Sequence, residues 1–426
     1  MKFNTISRIA MAAAVSVAIA FGTTACIRDY TADYVYAVSN SDGKISAYGV
    51  DYQSGVLTQI SGSPFSTNLT NPSTVVAAPN GKTIYVIGGS QQAQVQAMPV
   101  GSDGKLYGGT GANMPSGGTY PTAAAIDYTG SYLYVAYTFQ SGYSPVSPGP
   151  GGVAIFPINS DGSLGTPTNV NVGNNPVAIA ATAPTCTATP ALGSNSSPNC
   201  IILGSSSTTN NGTNQSFVYV VDAETAAAQP TILGFVETPG TGSLAPIPGT
   251  NPNNGFSAGV SPSAIATDPT GKYVYVTDKA QNQIYGYGIS NTTSGALTGL
   301  VSSPYATGQY PVSITIEPRG KYVYVANYNS QTVSSYSLNL GSGALGASAG
   351  SNFTTTTGPT CVTVEPALGI YLYTSDYLNA SVSGGQLSPN TGALSAVATS
   401  FFPSVSQPIC VVSVPNGLHA SQSTHP

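Results

Sequence analysis

Seven prolines recur at an almost fixed interval, and that interval constrains the fold of this chain more than any other feature. They are Pro72, Pro121, Pro176, Pro262, Pro311, Pro359 and Pro408, spaced by 49, 55, 86, 49, 48 and 49 residues. Each opens a variant of one pattern. Six residues later comes Asp127, Asp268, Glu317 or Glu365 in four copies, and Ala78 in another. Nine residues later comes Gly81, Gly130, Gly271 or Gly320, slipping by one to Gly369 in the Pro359 copy. An aromatic pair follows: Tyr132/Tyr134, Tyr273/Tyr275, Tyr322/Tyr324 and Tyr371/Tyr373. The copy from Pro262 reads PSAIATDPTGKYVYVTD, IYGYGI, SGALTGLV and SSPYATGQY. Four short apolar runs separated by turn residues are the pattern of a four-stranded antiparallel meander.

Roughly 50 residues per four strands is the size of a β-propeller blade. Six units start at the prolines from Pro72 to Pro359. A seventh is split: Asp33 to Asn71 supplies three runs but no first strand, and Pro408 to Gly417 supplies a first strand and nothing after it. The sequence therefore predicts an all-β, seven-bladed propeller over residues 33–417. Its ring is closed by the C-terminal strand, which removes the open edges a row of sheets would leave. Runs such as YVYV are bulky on both faces, as expected of strands sandwiched between neighbouring blades.

The chain outside the repeat reads differently. Lys2 and Arg8 precede an apolar run from Ile9 to Phe21, the form of an export signal over residues 1–25 and too short for a spanning helix. It ends in TTAC at Cys26. This resembles the bacterial lipobox, with Thr23 where that motif usually has Leu. The resemblance implies lipidation of Cys26, a short linker over residues 26–32, and a membrane partner reached through the lipid. The expected localisation is the bacterial cell envelope, with a disordered polar tail at 418–426. Charged residues are only 6 % of the chain, against about 25 % in typical soluble proteins. No basic patch exists, which excludes nucleic acid as a partner.

With Cys26 set aside, four cysteines allow three pairings. Repeat symmetry selects one. Cys361 and Cys410 each stand two residues after a lead proline, on the innermost strands of adjacent blades, so Cys361–Cys410 is expected to staple the ring. Cys186–Cys200 is then expected to staple the insertion that it brackets.

Residues shared by every copy are read as serving the fold, so function is sought where copies differ. The carboxylates Asp127, Asp268, Glu317 and Glu365 each end a first strand before a turn, where they can accept turn N–H groups. Two copies carry insertions: Thr138–Gly152 in the third blade, and a Cys-bracketed stretch, Ser205–Ser216 and Glu237–Phe256 in the fourth. All but the Cys-bracketed stretch are expected on the face where second-to-third and fourth-to-first connections emerge. Phe139, Tyr143 and Phe256 are the large side chains there, suited to stacking on a sugar or other flat ligand. Asn40, Asp278, Asn327 and Asp376 end second strands on the same face. They are read as turn caps, with cation coordination through their oxygens as the sharper alternative.

The only histidines, His419 and His425, follow the closing strand, and Arg319 is the only arginine in the propeller. General-base, triad and metal chemistry that needs histidine has no candidate in the repeat.

The copies PSAIATDPTGKYVYVTD and PVSITIEPRGKYVYVAN resemble the YVTN repeat. With SGAL and the SSP loop, they resemble the seven-bladed lactonase-like propeller family, which includes 6-phosphogluconolactonases and muconate-cyclising enzymes. That resemblance covers about residues 33–417 and implies the propeller fold. The muconate-cyclising members rely on His and Arg that have no counterpart here. The expected function is a non-catalytic, envelope-anchored binding or scaffold module for an envelope glycan or protein, with no metal and no cofactor assigned. The alternative is a lactone hydrolase using a carboxylate and a cation bound in the funnel.

Overall fold

The computed structural model describes residues 31–89, 93–184, 215–223, 229–247, 255–290, 295–347 and 352–417. These residues form seven antiparallel sheets, and in six of them the strands lie in sequence order from the inside outward. Blades 2 to 7 begin with the innermost strands Pro72–Ala77, Thr119–Ile126, Pro176–Ala181, Pro262–Thr267, Pro311–Ile316 and Pro359–Val364. Blade 1 is completed from both ends of the propeller. Its innermost strand, Pro408–Pro415, pairs with Thr31–Ser39, setting Asp33 opposite Pro415 and Val38 opposite Cys410. The expected ring closure is present. The first strand starts at Thr31, so it takes in the last two residues of the expected linker.

The second strands explain the apolar runs. Thr83–Gly88, Phe217–Asp222, Tyr273–Asp278, Tyr322–Asn327 and Tyr371–Asp376 are buried at every position. Alternate residues face alternate neighbours, because successive side chains on a strand point to opposite sides. Tyr34, Tyr36 and Val38 join a core shared with blade 2, whereas Val35 and Ala37 join a core shared with blade 7. Seven apolar clusters fill the gaps between adjacent blades.

One polar contact repeats around the whole ring. Each second strand carries a buried tyrosine, the second aromatic of a pair in every blade but blade 2, whose hydroxyl donates to a glycine carbonyl in the third-to-fourth turn of the next blade. The pairs are Tyr36–Gly104, Tyr85–Gly162, Tyr134–Gly242, Tyr219–Gly295, Tyr275–Gly343, Tyr324–Gly392 and Tyr373–Gly55, at 2.6–3.2 Å. All seven glycines have positive φ, between 62° and 84°. The first aromatic of the pair lies against the same glycine. A Cβ on Gly392 would come 2.2 Å from the Tyr322 ring, and one on Gly343 would come 2.4 Å from Tyr273. Burial holds all seven phenols above their ordinary pKa, which keeps them donors.

The lead prolines have a matching role. Five of the first strands slip register just after the proline, which has no N–H to give the ladder. The next residue carries a hydroxyl in several copies and reaches the following blade. Thr122 donates to the Pro176 carbonyl at 2.7 Å, Ser263 to Pro311 at 2.6 Å and Thr360 to Pro408 at 3.2 Å.

Cys361 and Cys410 form the expected staple between blade 7 and the closing strand, with Cα atoms 4.8 Å apart. Cys186–Cys200, Cys26 and the signal-like start lie outside the described residues.

The expected placement of two insertions is corrected. The second strand of blade 4 is Phe217–Asp222, so Ser205–Ser216 precedes it in the chain and does not follow it, its residues up to Asn214 lying outside the described residues. Glu237–Phe256 leaves the third strand at Glu237 and runs through a fourth strand broken into Leu244–Pro246 and Phe256–Ser257. Its described parts therefore belong to the outer edge of the blade, residues 248–254 lying outside the described ones, and the fourth-to-first connection comes after Ser257.

Three outcomes are expected in equilibrium denaturation. Tyr324→Phe leaves the Gly392 carbonyl without its donor and should lower stability by about 1–3 kcal/mol. Gly392→Ala forces a methyl into the Tyr322 ring on a left-handed backbone and should lower it by about 2–5 kcal/mol. Replacing both Cys361 and Cys410 by Ser opens a 49-residue loop and should lower stability by roughly 3–4 kcal/mol in the same assay.

Candidate binding face

The ring has two faces. On one emerge the first-to-second and third-to-fourth turns, with the repeated carboxylates. Asp127 accepts from the backbone N–H groups of Thr129, Ser131 and Tyr132 at 3.0, 2.7 and 2.6 Å. Asp268 accepts from Thr270, Lys272 and Tyr273 at 2.9, 2.7 and 2.6 Å. Glu317 accepts from the N–H groups of Arg319 and Lys321 and forms an ion pair with the Arg319 guanidinium at 3.1 Å. Glu365 accepts from Leu368, Ile370 and Tyr371 at 2.7, 2.7 and 3.1 Å. These carboxylates hold turns, as their repetition implies.

Two further acids on this side were not singled out in the sequence. Asp33, fully buried, has no well-formed hydrogen bond on either oxygen. Glu365 and the Ala367 amide lie beside it. Burial, and then the Glu365 charge, push its pKa up to about 10. Glu237 lies between blades 3 and 4, only 5 % exposed, and burial followed by the Asp127 charge pushes it up to about 7. Each acid is unique to its copy, and the partner that perturbs it comes from the neighbouring blade.

On the opposite face emerge the second-to-third and fourth-to-first connections. Asp278, Asn327 and Asp376 end second strands there, and all three are fully buried. Asp278 accepts from the N–H groups of Val260, Ala280 and Gln281 at 2.6, 2.9 and 3.0 Å. Asn327 donates to Ser334 Oγ at 2.9 Å and accepts from Thr307 Oγ1 at 3.1 Å. Asp376 accepts from the hydroxyls of Thr356 and Thr374 at 2.6 and 2.9 Å and from Ser383, while burial raises its pKa. Asn40 donates to the Pro72 carbonyl at 2.7 Å. The described side chains thus pin the connections within and between blades. No three His, Cys, Asp or Glu side chains gather as a metal site among the described residues.

The three large insertion side chains separate. Phe139 is 8 % exposed and meets Tyr120 edge-on, with ring centroids 5.6 Å apart. Tyr143 is 43 % exposed in the connection after the second strand and lies over Gly149. Phe256, on the outer strand of blade 4 opposite Ile232, packs into the core between blades 4 and 5, away from the rim.

Sequence reasoning missed a set of rim aromatics. The residue before a lead proline adopts a left-handed backbone in several copies: Asn71, Tyr120, Tyr310, Gly358 and Gln407 have φ of 47°, 56°, 59°, 71° and 50°. Asn and Gly suit that conformation; an aromatic residue there is uncommon. Tyr120 and Tyr310 are each 38 % exposed. The available signal was the substitution of Tyr at a position held by Asn or Gly in other copies.

Between the faces runs a central channel lined by the first strands of all seven blades. One cavity of about 370 Å³ is bordered by Ser73, Thr122, Ser263, Ser313 and Thr360 together with small apolar side chains. A second, of about 540 Å³, opens on the carboxylate face.

The lactonase family model for seven-bladed β-propellers matches residues 30–179 and 212–366. The chain belongs to this family. Solved structures of similar fold include a candidate 6-phosphogluconolactonase from Bacteroides uniformis, 17 % identical with a TM-score of 0.65 over 90 % of this chain and 100 % of that one. A periplasmic gluconolactonase from Pseudomonas aeruginosa is 16 % identical with a TM-score of 0.59, over 90 % and 99 %. A protein from Lactobacillus plantarum is 15 % identical with a TM-score of 0.61, over 90 % and 99 %. At these identities the likeness is one of fold. Comparison with curated proteins gives no match.

In this lactonase-family propeller the buried acid pair sets a pH dependence. A carboxyl raised on folding stabilises the fold fully below its unfolded value of about 4, and that contribution is lost as pH rises toward the folded value. Between pH 5 and 9 the wild type should therefore lose more stability than Asp33→Asn, by on the order of 2 kcal/mol or more, in denaturant titrations at each pH.

Proposed function

We propose that the protein is an exported, envelope-anchored binding propeller that holds a ligand or partner on the face of the second-to-third and fourth-to-first connections, without catalysis. The observation that carries this reading is Tyr120, kept half-exposed at the channel rim on a left-handed backbone and braced edge-on by Phe139, with Tyr143 exposed on the adjoining connection. An aromatic fixed this way offers contact area at small entropic loss on binding. The turn-bound state of Asp127, Asp268, Glu317 and Glu365 supports the non-catalytic part. The signal-like start and Cys26 support export and anchoring.

A lactone hydrolase is the second reading. Family membership and Glu237, with its pKa raised to about 7, favour it. Carboxyls near neutrality suit acid–base work, but Glu237 is buried on the other side of the ring.

Full-length protein should bind isolated cell-envelope material saturably. Tyr120→Gly together with Tyr143→Ala should weaken that binding about tenfold while the melting temperature holds. A panel of sugar lactones should show no turnover with or without chelator. Chelator-sensitive turnover abolished by Glu237→Gln, or binding unchanged in the double variant, would overturn the proposal.

A further inference from the structure

A second set of rim residues lies on the same face, over blades 5 to 7, and no part of the repeat requires it. We infer that Lys279, Tyr310, Tyr328 and Leu378 form a subsite for a sugar ring bearing a carboxylate, such as a hexuronic acid unit of a polysaccharide. This rests on the reading of this face as the binding face and names the ligand class.

The backbone at Tyr310 is held on both sides. Its N–H donates to Asn282 Oδ1 of blade 5 at 2.8 Å, and its carbonyl accepts from the Tyr328 N–H of blade 6 at 2.9 Å. Those bonds fix φ at +59°, an unfavourable region for an aromatic residue, and one before proline is normally extended. A strained residue at a rim is a reason to look for a ligand. The Tyr310 and Tyr328 rings lie 6.1 Å apart, tilted by 57°. At the next blade the equivalent position is Gly358, and the absence of a side chain lets its neighbours close in. A Cβ there would meet Leu378 at 3.0 Å and Tyr328 at 3.1 Å. The result is a continuous apolar patch, with Leu378 62 % and Tyr310 38 % exposed.

Charge sets the ligand class. Lys279 Nζ sits 5.7 Å from the Tyr310 ring centroid, within cation–π range. Among the described residues, ion pairs are made by Lys105 and Arg319 and not by Lys279. The neighbouring acid, Asp278, is buried and bound to backbone N–H groups. Lys279 therefore supplies one positive charge beside an aromatic and aliphatic platform, with no ion-pair partner among the described residues. A pyranose offers C–H groups to the platform and its carboxylate to the ammonium. One lysine matches the single charge of a carboxylate, whereas a phosphate monoester carries about −1.5 to −2 at neutral pH.

The test is calorimetric titration of the full-length protein with a galacturonic acid oligosaccharide and with its methyl ester. The acid should bind more tightly than the ester, and the preference should shrink as salt rises. Tyr310→Gly relieves the backbone, so it should fold at least as well as wild type while weakening both ligands about tenfold. Lys279→Gln should bring the acid down to the level of the ester. Absence of binding by the wild type, or wild-type affinities in both variants, overturns the inference. Envelope binding that depends on Tyr120, with no binding of either oligosaccharide, overturns the subsite and leaves the broader reading standing. Oligosaccharide binding that depends on Lys279 and Tyr310, with no dependence on Tyr120, supports the subsite and moves the binding face to blades 5–7.

Discussion

The fold depends on a hydrogen bond that no blade can make alone. A tyrosine buried in the second strand of one blade donates to a glycine carbonyl in the turn of the next, seven times around the ring. A phenol at that depth has no water to turn to, and leaving it unpaired is unfavourable by about 1–3 kcal/mol. A single blade would expose both faces and all of these hydroxyls. Side by side, the blades satisfy the hydroxyls and bury the faces in one step. The left-handed glycine is part of the same device, because only a residue without Cβ lets the first aromatic of the pair lie flat over the turn. Thr122, Ser263 and Thr360 repeat the logic at the channel, passing a hydroxyl to the carbonyl of the next lead proline.

This division of labour decides where binding can lie. The repeated acids have their oxygens taken up by backbone N–H groups, and the acids and amides that end the second strands are buried in their own networks. What remains free is what departs from the repeat: tyrosines where Asn or Gly would serve, a lysine after Asp278, a glycine at 358. These departures gather on one face and at the rim of the channel. The opposite face is occupied by turns that clasp the next blade, and change there would disturb the clasp before it altered recognition.

Much of this architecture is visible in the linear sequence, because most blades write the same short code. Proline starts the inner strand, a carboxylate and a glycine make the turn, and two aromatics mark the second strand. The partner of the second aromatic is not visible in that way. Tyr36, Tyr275 and Tyr324 each reach a glycine 68 residues onward, a repeat and part of another, and the distance grows to 108 for Tyr134 because an insertion intervenes. The insertions of blade 4 hide its second strand for a related reason: Phe217 and Tyr219, the pair that the clasp demands, stand far beyond the first strand in the chain. Phe256 drew attention as a large side chain among small ones, yet its strand pairing with Ile232 turns it into the core. Tyr310 was passed over because a residue before proline in a loop carries no periodic signal; its meaning comes from a backbone angle.

The closing blade shows what such a ring requires where its ends meet. Elsewhere one continuous chain carries each blade into the next. Between Pro415 and Thr31 no peptide link exists, and strand pairing joins them with side-chain bonds such as Asn416 Nδ2 to the Thr31 carbonyl. Blade 7 braces both sides of that junction. Cys361 holds the closing strand through Cys410, and Glu365 lies beside Asp33 on the N-terminal strand. The first brace is indifferent to pH and the second to thiols. An uncharged pair of similar shape would hold the seam at any pH. The acid pair instead ties this junction to pH, because burial and the Glu365 charge both disfavour ionisation of Asp33.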